Sequence, residues 1–469
     1  MRMAMRVTGY SLVLFLLSGA ARAQTAGPGL PAAARDKIDQ IAQEVLTRTG
    51  VPSASLAVVQ DGRIAYVKAY GAARLEPRVP AQSDMRYSIG SISKQFTAAA
   101  VLMLAEEGKL SLDDKVARWL PDLTRANEIT IRQLLSHTSG YQDDWPQDYV
   151  PDFMLHHGGV QKILDGWARK PLDFEPGTQY QYSNTGYTVA GVIVEKASGM
   201  PLMDFLRARL FKPLAMTSVL DIDQNRLTES DPTGYLRYAL GPARVAPKEG
   251  QGWLFAMGEL AMTAEDLAKW DVSLIDHSLL KPASYDQMER VVVLKNGLPA
   301  GYGLGLSVGQ QSGHRALSHG GEVSGFTAQN VVFPDDHAAI AVLTNQDAAN
   351  AAGQIARLIT AVVLPAPAEA AAKTTQMRQI FEGLQHGKLD RPLFTENGSA
   401  YFTDQALSDF ASSLGPLGTP QEFTPTGQTP RGGMIFRSYR VKFASKSVNL
   451  WVREMPDGKI EEFQVMAAD

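Results

Sequence analysis

Hydrophobic positions along this chain change period several times, and each change marks an element boundary. Residues 37–46 carry helical spacing and predict a helix that packs on the segment after it. Residues 51–58, VPSASLAV, start a strand, Asp61-Gly62 supplies a hairpin turn, and residues 64–70 return as a second strand. The run SISKQFTAAAVLMLAEEG spaces Phe96, Ala99, Ala100, Leu102, Met103 and Leu104 as on a largely buried helix that begins at Ser91. A loop with Leu112-Asp113-Asp114 follows, then a helix-rich middle to about residue 215. Residues 216–250 have weak periodicity and many turn formers, so they read as a surface excursion. A further helix is expected near 264–273, capped by Thr263 with Asp266 in its first turn.

The period then returns to two. Residues 302–308 alternate as a strand, 326–333 form the next, Pro334-Asp335-Asp336 turns the chain, and 338–344 run back. A helix over 348–363 closes this unit. Strands at both ends with helices inserted between them make an α+β arrangement rather than a series of βαβ units. Residues 365–373, with two prolines and several alanines, read as a linker between a 24–364 domain and a 374–469 domain. The second domain opens with a helix and ends in antiparallel strands, so it is a small α+β unit.

Composition narrows the chemistry. The 469 residues include no cysteine, which excludes disulfides, thiolate catalysis and Cys-ligated metals. A formal charge of -4 gives no electrostatic case for nucleic acid. His156-His157 reads as part of a loop, and no H-E-x-x-H is present, so neither a metal nor a cofactor is expected. Arg2 and Arg6, an apolar core at 12–17 and Ala21-Arg22-Ala23 read as an export signal over 1–23, cleaved before Gln24. This stretch is too short for a transmembrane span, so the expected location is the periplasm or the exterior, without stable membrane insertion.

Four patches carry candidate chemistry. Ser91 and Lys94 lie one helical turn apart, a hydroxyl beside an amine, at a helix start whose N–H groups favour a developing oxyanion. Alternatively they are a cap and a solvated lysine. Tyr182-Ser183-Asn184 sits where a helix over 185–195 begins; Tyr182 could share a proton with Lys94, and Asn184 could bond Lys94 and a substrate carbonyl. The alternative is a core tyrosine. In His319-Gly320-Gly321-Glu322 the paired glycines allow close backbone approach, and the Glu322 and Ser91 N–H groups form a candidate oxyanion pair. His319 steadies the substrate or proton network, or is the structural histidine of a Gly-rich hairpin. His137, in LLSHTSG, is either a base or a helix-end cap. A fifth pattern, Gly305-Leu306-Ser307-Val308-Gly309, satisfies G-x-S-x-G, but Ser307 falls inside an alternating strand where a nucleophile elbow needs a strand, a turn and a helix.

In this order and spacing, GSISKQFTAAAVLMLAEEGKLSLDDKV, ITIRQLLSHTSG, FEPGTQYQYSNTGYTVAGVIVEKASG, MTAEDLAKW and HGGEVSGF resemble the serine beta-lactamase-related superfamily, in its class C and D-alanyl-D-alanine carboxypeptidase-like branch. The resemblance implies a mostly antiparallel sheet flanked by helices, with a helical subdomain between its halves. It also implies Ser91 as nucleophile, Lys94 as its activating partner, Tyr182 as general base and acid, and Asn184 as a polar ligand near Lys94. The last domain resembles small cone-shaped folds of the nuclear-transport-factor-2-like type.

One departure changes the expected substrate. Class C beta-lactamases carry Lys-Thr-Gly where this chain has His319-Gly320-Gly321, and a His there is familiar from peptidase, amidase and esterase-like relatives. A lysine offers a permanent charge to a substrate carboxylate, whereas histidine is mostly neutral near pH 7. The expected activity is therefore acyl-enzyme hydrolysis of short esters or of D-amino-acid peptides and amides. A class C-like beta-lactamase and a non-catalytic penicillin-binding or sensing protein are the alternatives.

Overall fold

The computed structural model describes residues 29–365 and 367–468. The expected export signal lies outside the described residues. Helix α1 (Ala32–Thr49) leads into β1 (Ser53–Gln60), β2 (Arg63–Arg74) and the short β3 (Val79–Pro80). A 3-10 turn (Gly90–Ile92) then runs into α2 (Ser93–Glu106), so Ser91 sits in the turn and only Lys94 is in the α-helix proper. The middle of the chain supplies α3 (Ile131–Leu135), α4 (Asn184–Ser198) and α5 (Ala264–Asp276). The chain returns through β4 (Ser307–Gln311), β5 (His314–Val323), β6 (Phe326–Phe333) and β7 (Ala338–Thr344), and α6 (Ala351–Val363) closes the unit.

These strands form one antiparallel sheet in the order β3-β2-β1-β7-β6-β5-β4. The first and last strand groups therefore meet at β1 and β7, with Val58 opposite Ile340 and Leu56 opposite Val342. Both faces of the sheet are covered. Leu56, Val58, Ile340 and Val342 pack with Ile38, Val45, Ile355 and Ile359 of α1 and α6. Their sequence neighbours Ala57, Val59, Ala339, Ala341 and Leu343 point the other way, into the core built with Phe96 and Trp270 of α2 and α5. Alternate side chains leave a strand on opposite faces, so burial on both faces requires the near-continuous apolar runs seen in β1 and β7. Helices cover both faces of one antiparallel sheet, the α+β arrangement the sequence predicts.

Several local expectations need correction. Residues 302–306 are not a strand; Tyr302 makes only an isolated bridge to Ser307, where the strand proper starts. A Cβ at Gly303 would lie 2.2 Å from the Met288 carbonyl, and Gly305 has a φ of +81° against the Lys94 backbone, so Gly-Leu-Gly-Leu here makes a tight bend that imitates alternation. Residues 216–250 hold only two-residue strands, as at Leu220–Asp221 and Tyr235–Leu236, but they are not all surface. The buried Asp223 carboxylate accepts the N–H groups of Gly252 at 2.9 Å and Leu254 at 3.1 Å, anchoring the excursion. Most of the expected linker is helical, because α7 (Ala368–Gln385) begins at Ala368. Beyond it lie α8 (Glu396–Tyr401), α9 (Asp404–Leu414) and a four-stranded meander of β8 (Glu422–Arg431), β9 (Met434–Lys442), β10 (Ser447–Glu454) and β11 (Ile460–Ala467). This second unit has its own core around Phe381, Leu384, Phe402, Val441, Leu450 and Phe463.

Candidate active site

The turn at Gly90–Ile92 brings Ser91 to the floor of a cleft of about 1050 Å³. Tyr182, Asn184, His319, Gly320, Gly321 and Glu322 line the same cleft. Lys94 lies beneath it with no exposed surface. All eight residues selected from the sequence therefore meet at one place.

Lys94 projects from the first turn of α2, and its three N–H donors match three acceptors. These are Ser91 Oγ at 3.0 Å, Asn184 Oδ1 at 2.7 Å and the Met257 carbonyl at 2.8 Å. Burial disfavours the ammonium and drives the Lys94 pKa down to about 7, against the pull of Asp143, Asp144 and Glu259. An amine that loses its proton near neutrality can take one from the Ser91 hydroxyl. The reading of Lys94 as a solvated lysine is thereby overturned.

Asn184 reaches Lys94 because α4 starts there. Ser183 caps the helix by accepting the Gly186 N–H, and Asp143 Oδ1 accepts the Asn184 N–H at 2.9 Å. Asp144 Oδ1 accepts from the Thr185 hydroxyl at 3.0 Å, so two carboxylates sit at the positive end of the helix. Burial pushes Asp144 up to about 7, with the Asp143 charge adding to the effect.

The Tyr182 ring lies 4.9 Å from Lys94 Nζ. Burial holds its hydroxyl pKa above that of an ordinary tyrosine, although the Ser91 side chain pulls the other way. His319 donates from Nδ1 to the Gly320 carbonyl at 2.5 Å and accepts the Tyr302 hydroxyl on Nε2 at 2.8 Å. Burial, with the nearby Lys94 charge, lowers its pKa to about 4 and keeps the ring neutral.

Strand β5 approaches the nucleophile turn backbone to backbone. A Cβ on Gly90, whose φ is +50°, would lie 2.6 Å from the Glu322 nitrogen. The Glu322 N–H thus stands against the turn that carries Ser91, as an oxyanion pair with the Ser91 N–H requires. His137 is buried outside the cleft lining, and Ser307 begins the paired strand β4 with no elbow.

The sequence did not single out Asp143, Met257 or Tyr302. Met257 contributes only a backbone carbonyl, which carries no residue-type signal. Asp143 lies three residues past the LLSHTSG motif, and the Tyr302 hydroxyl that fixes His319 sits 17 residues before it. The cleft is also electrostatically one-sided, lined by Asp143, Asp148, Glu322 and Asp347 and, among the described residues, by no lysine or arginine.

The Beta-lactamase family profile matches residues 38–364. Penicillin-binding protein 4* of Bacillus subtilis (strain 168) is 30% identical over 307 residues, which are 61% of this chain and 67% of that protein. The chain spans about two thirds of the length of the curated relatives it matches. A D-stereospecific amidohydrolase from Streptomyces sp. superposes with a TM-score of 0.60 at 27% identity, covering 69% of this chain and 98% of the other. The octameric penicillin-binding protein homologue from Pyrococcus abyssi shares the fold over 93% of this chain and 96% of its own, with a TM-score of 0.62 at 20% identity. The profile match takes in the sheet, its covering helices and every residue of the cleft floor, and the chain belongs to the beta-lactamase/transpeptidase-like serine hydrolase superfamily.

Proposed function

We propose that this protein hydrolyses short esters or D-amino-acid amides and peptides through an acyl-enzyme on Ser91. The observation that carries the reading is the 3.0 Å contact between Ser91 Oγ and a buried Lys94 at the floor of an open cleft. Ser91 Oγ attacks the substrate carbonyl as its proton passes to the Lys94 amine. The carbonyl oxygen takes the negative charge, facing the N–H groups of Ser91 and Glu322. Collapse breaks the C–O or C–N bond, and the leaving group receives the proton by way of the Tyr182 hydroxyl. Water then attacks the ester on Ser91, gives up a proton to Lys94, and the serine regains its own as the acid leaves. Tyr182 acts here as a neutral relay, since burial opposes its phenolate, and the base role passes to Lys94.

Cleft charge supports amides and esters over beta-lactams. A neutral His319 and four carboxylates offer no counter-charge to a substrate carboxylate. The amidohydrolase likeness points the same way. The test is a parallel assay of p-nitrophenyl butyrate, a D-amino-acid amide, a D-Ala-D-Ala peptide and nitrocefin. Fluorophosphonate labelling is followed alongside by intact mass. Ester or amide turnover above nitrocefin turnover, with labelling abolished in Ser91→Ala, is expected. Faster nitrocefin turnover would reverse the substrate ranking, and a Ser91→Ala protein labelled like wild type would remove the nucleophile. A wild-type protein inert across the panel would favour a binding or sensing role.

The export signal makes the periplasm or the exterior the site of action, which the intact mass of the processed protein checks by starting at Gln24. The second domain, with its helices followed by a four-stranded meander, fits a nuclear-transport-factor-2-like cone that serves packing or substrate access.

A further inference from the structure

We propose that His137 is a positioning residue of this reaction, a clamp that holds Tyr182 over Lys94. The inference rests on the reading of Ser91, Lys94 and Tyr182 as the reacting group. His137 grips three successive residues in three different ways. Its carbonyl accepts the Gln181 N–H at 3.0 Å. Its imidazole ring stacks on Tyr182, with centroids 4.2 Å apart and planes 30° from parallel. Its Nδ1 accepts the Ser183 N–H at 3.1 Å. The segment that delivers both Tyr182 and Asn184 to Lys94 is therefore fixed from one side chain and its own backbone.

The clamp carries two local costs. His137 has a φ of +57°, in the left-handed region that non-glycine residues seldom occupy. Its Nε2 is buried without a hydrogen-bond partner among the described residues. With Nδ1 accepting, the neutral ring carries its proton on that orphan nitrogen, and an unpaired buried donor is unfavourable. Burial, reinforced by the nearby Lys94 charge, holds the ring pKa well below the usual histidine range. The same facts exclude the general-base role: the acceptor nitrogen is already engaged, and His137 does not line the cleft.

The test uses His137→Asn, His137→Phe and His137→Ala in the full chain. Asparagine tolerates the left-handed backbone and can accept the Ser183 N–H, but cannot stack. Phenylalanine keeps a ring and loses the acceptor. For Ala we expect kcat per titrated serine to fall by roughly tenfold to hundredfold, as for a misplaced catalytic group. KM should stay within about twofold. Asn and Phe should each recover part of the loss, and the acid limb of the pH profile should persist in all three. Hydrogen exchange over residues 181–184 should quicken in the Ala variant under conditions where it remains folded. A general destabilisation would lower the titrated fraction without moving kcat per titrated site. Unchanged kcat and unchanged exchange would overturn the clamp, and a pH limb lost in His137→Asn would make His137 a base. If wild-type Ser91 reacts with no probe, the hydrolase reading fails, and the exchange experiment alone decides whether the clamp exists.

Discussion

Gly321 lies so close to Ile89 that a Cβ at position 321 would sit 1.9 Å from the Ile89 carbonyl oxygen. That contact presses β5 against the turn carrying Ser91. One residue earlier the situation is open, since a Cβ on Gly320 would find nothing nearer than 3.9 Å. The two glycines of the motif therefore do different work. Gly321→Ala is expected to lever the Glu322 N–H away from Ser91 and reduce acylation by about a hundredfold or more, the scale of losing one oxyanion donor. Gly320→Ala should stay within a few-fold of wild type. Rates of fluorophosphonate labelling, each compared with a melting curve, check the pair. Equal loss in both variants would contradict the geometry.

The acid limb of the activity profile should report Lys94. Its neutral amine accepts the serine proton, so activity rises with pH through about 7, the value to which burial lowers Lys94. The Asp143 charge opposes that lowering by favouring the ammonium. In Asp143→Asn this support is lost, while the amide oxygen can still accept the Asn184 N–H that Asp143 Oδ1 accepts now. The limb should therefore move to lower pH, by up to about one unit. It is read from kcat measured between pH 5 and 9. A limb that moves upward would refute the sign.

Chain elements were legible where side-chain pattern and burial agree. The strand at Phe326–Phe333 and the Thr263 cap both stand where the sequence puts them, with Thr263 accepting the Asp266 N–H. Residues 302–306 misled because glycines chosen for close backbone contact happen to alternate with leucines. The helix expected from residue 348 begins only at Ala351, since Ala348 has a φ of +49°, outside the right-handed helical region. In the site, Ser91, Lys94, Tyr182 and His319 were legible as reactive types within motifs. The residues that tune them were less so. Asp143 acts through charge and a backbone contact, Met257 through a carbonyl, and Tyr302 from a bend that the sequence presented as a strand.

Glu259 gives a stability prediction with a definite sign. It is buried, its Oε2 has no partner among the described residues, and burial pushes its pKa up to about 8 from 4.5. Between those values the folded state binds more protons than the unfolded state, so this group makes stability fall as pH rises across that window. Glu259→Gln keeps the shape and removes the ionisation. The variant should melt close to wild type at pH 5 and above it at pH 8.5. A relative loss of Tm at pH 8.5 would mean that the ionised carboxylate is stabilised by its surroundings instead.

The second domain should be dispensable for the chemistry itself. No residue beyond Gly353 lines the cleft among the described residues, and Phe402 is buried in the second domain's own core. The two units do touch: His314 Nε2 lies 3.1 Å from the Pro365 carbonyl, and Gly313 packs against Pro367 and Ala370. A chain ending after Pro365 keeps the first of these contacts and exposes apolar surface where α7 packed. It should label at Ser91 with a small fluorophosphonate at a rate within a few-fold of the full chain, with lower Tm or solubility. Larger peptide substrates are the sensitive comparison, because a domain that shapes access changes KM for them while leaving labelling by a small probe alone. Complete loss of labelling in a truncated protein that circular dichroism and a cooperative melt show to be folded would place the second domain inside the catalytic unit.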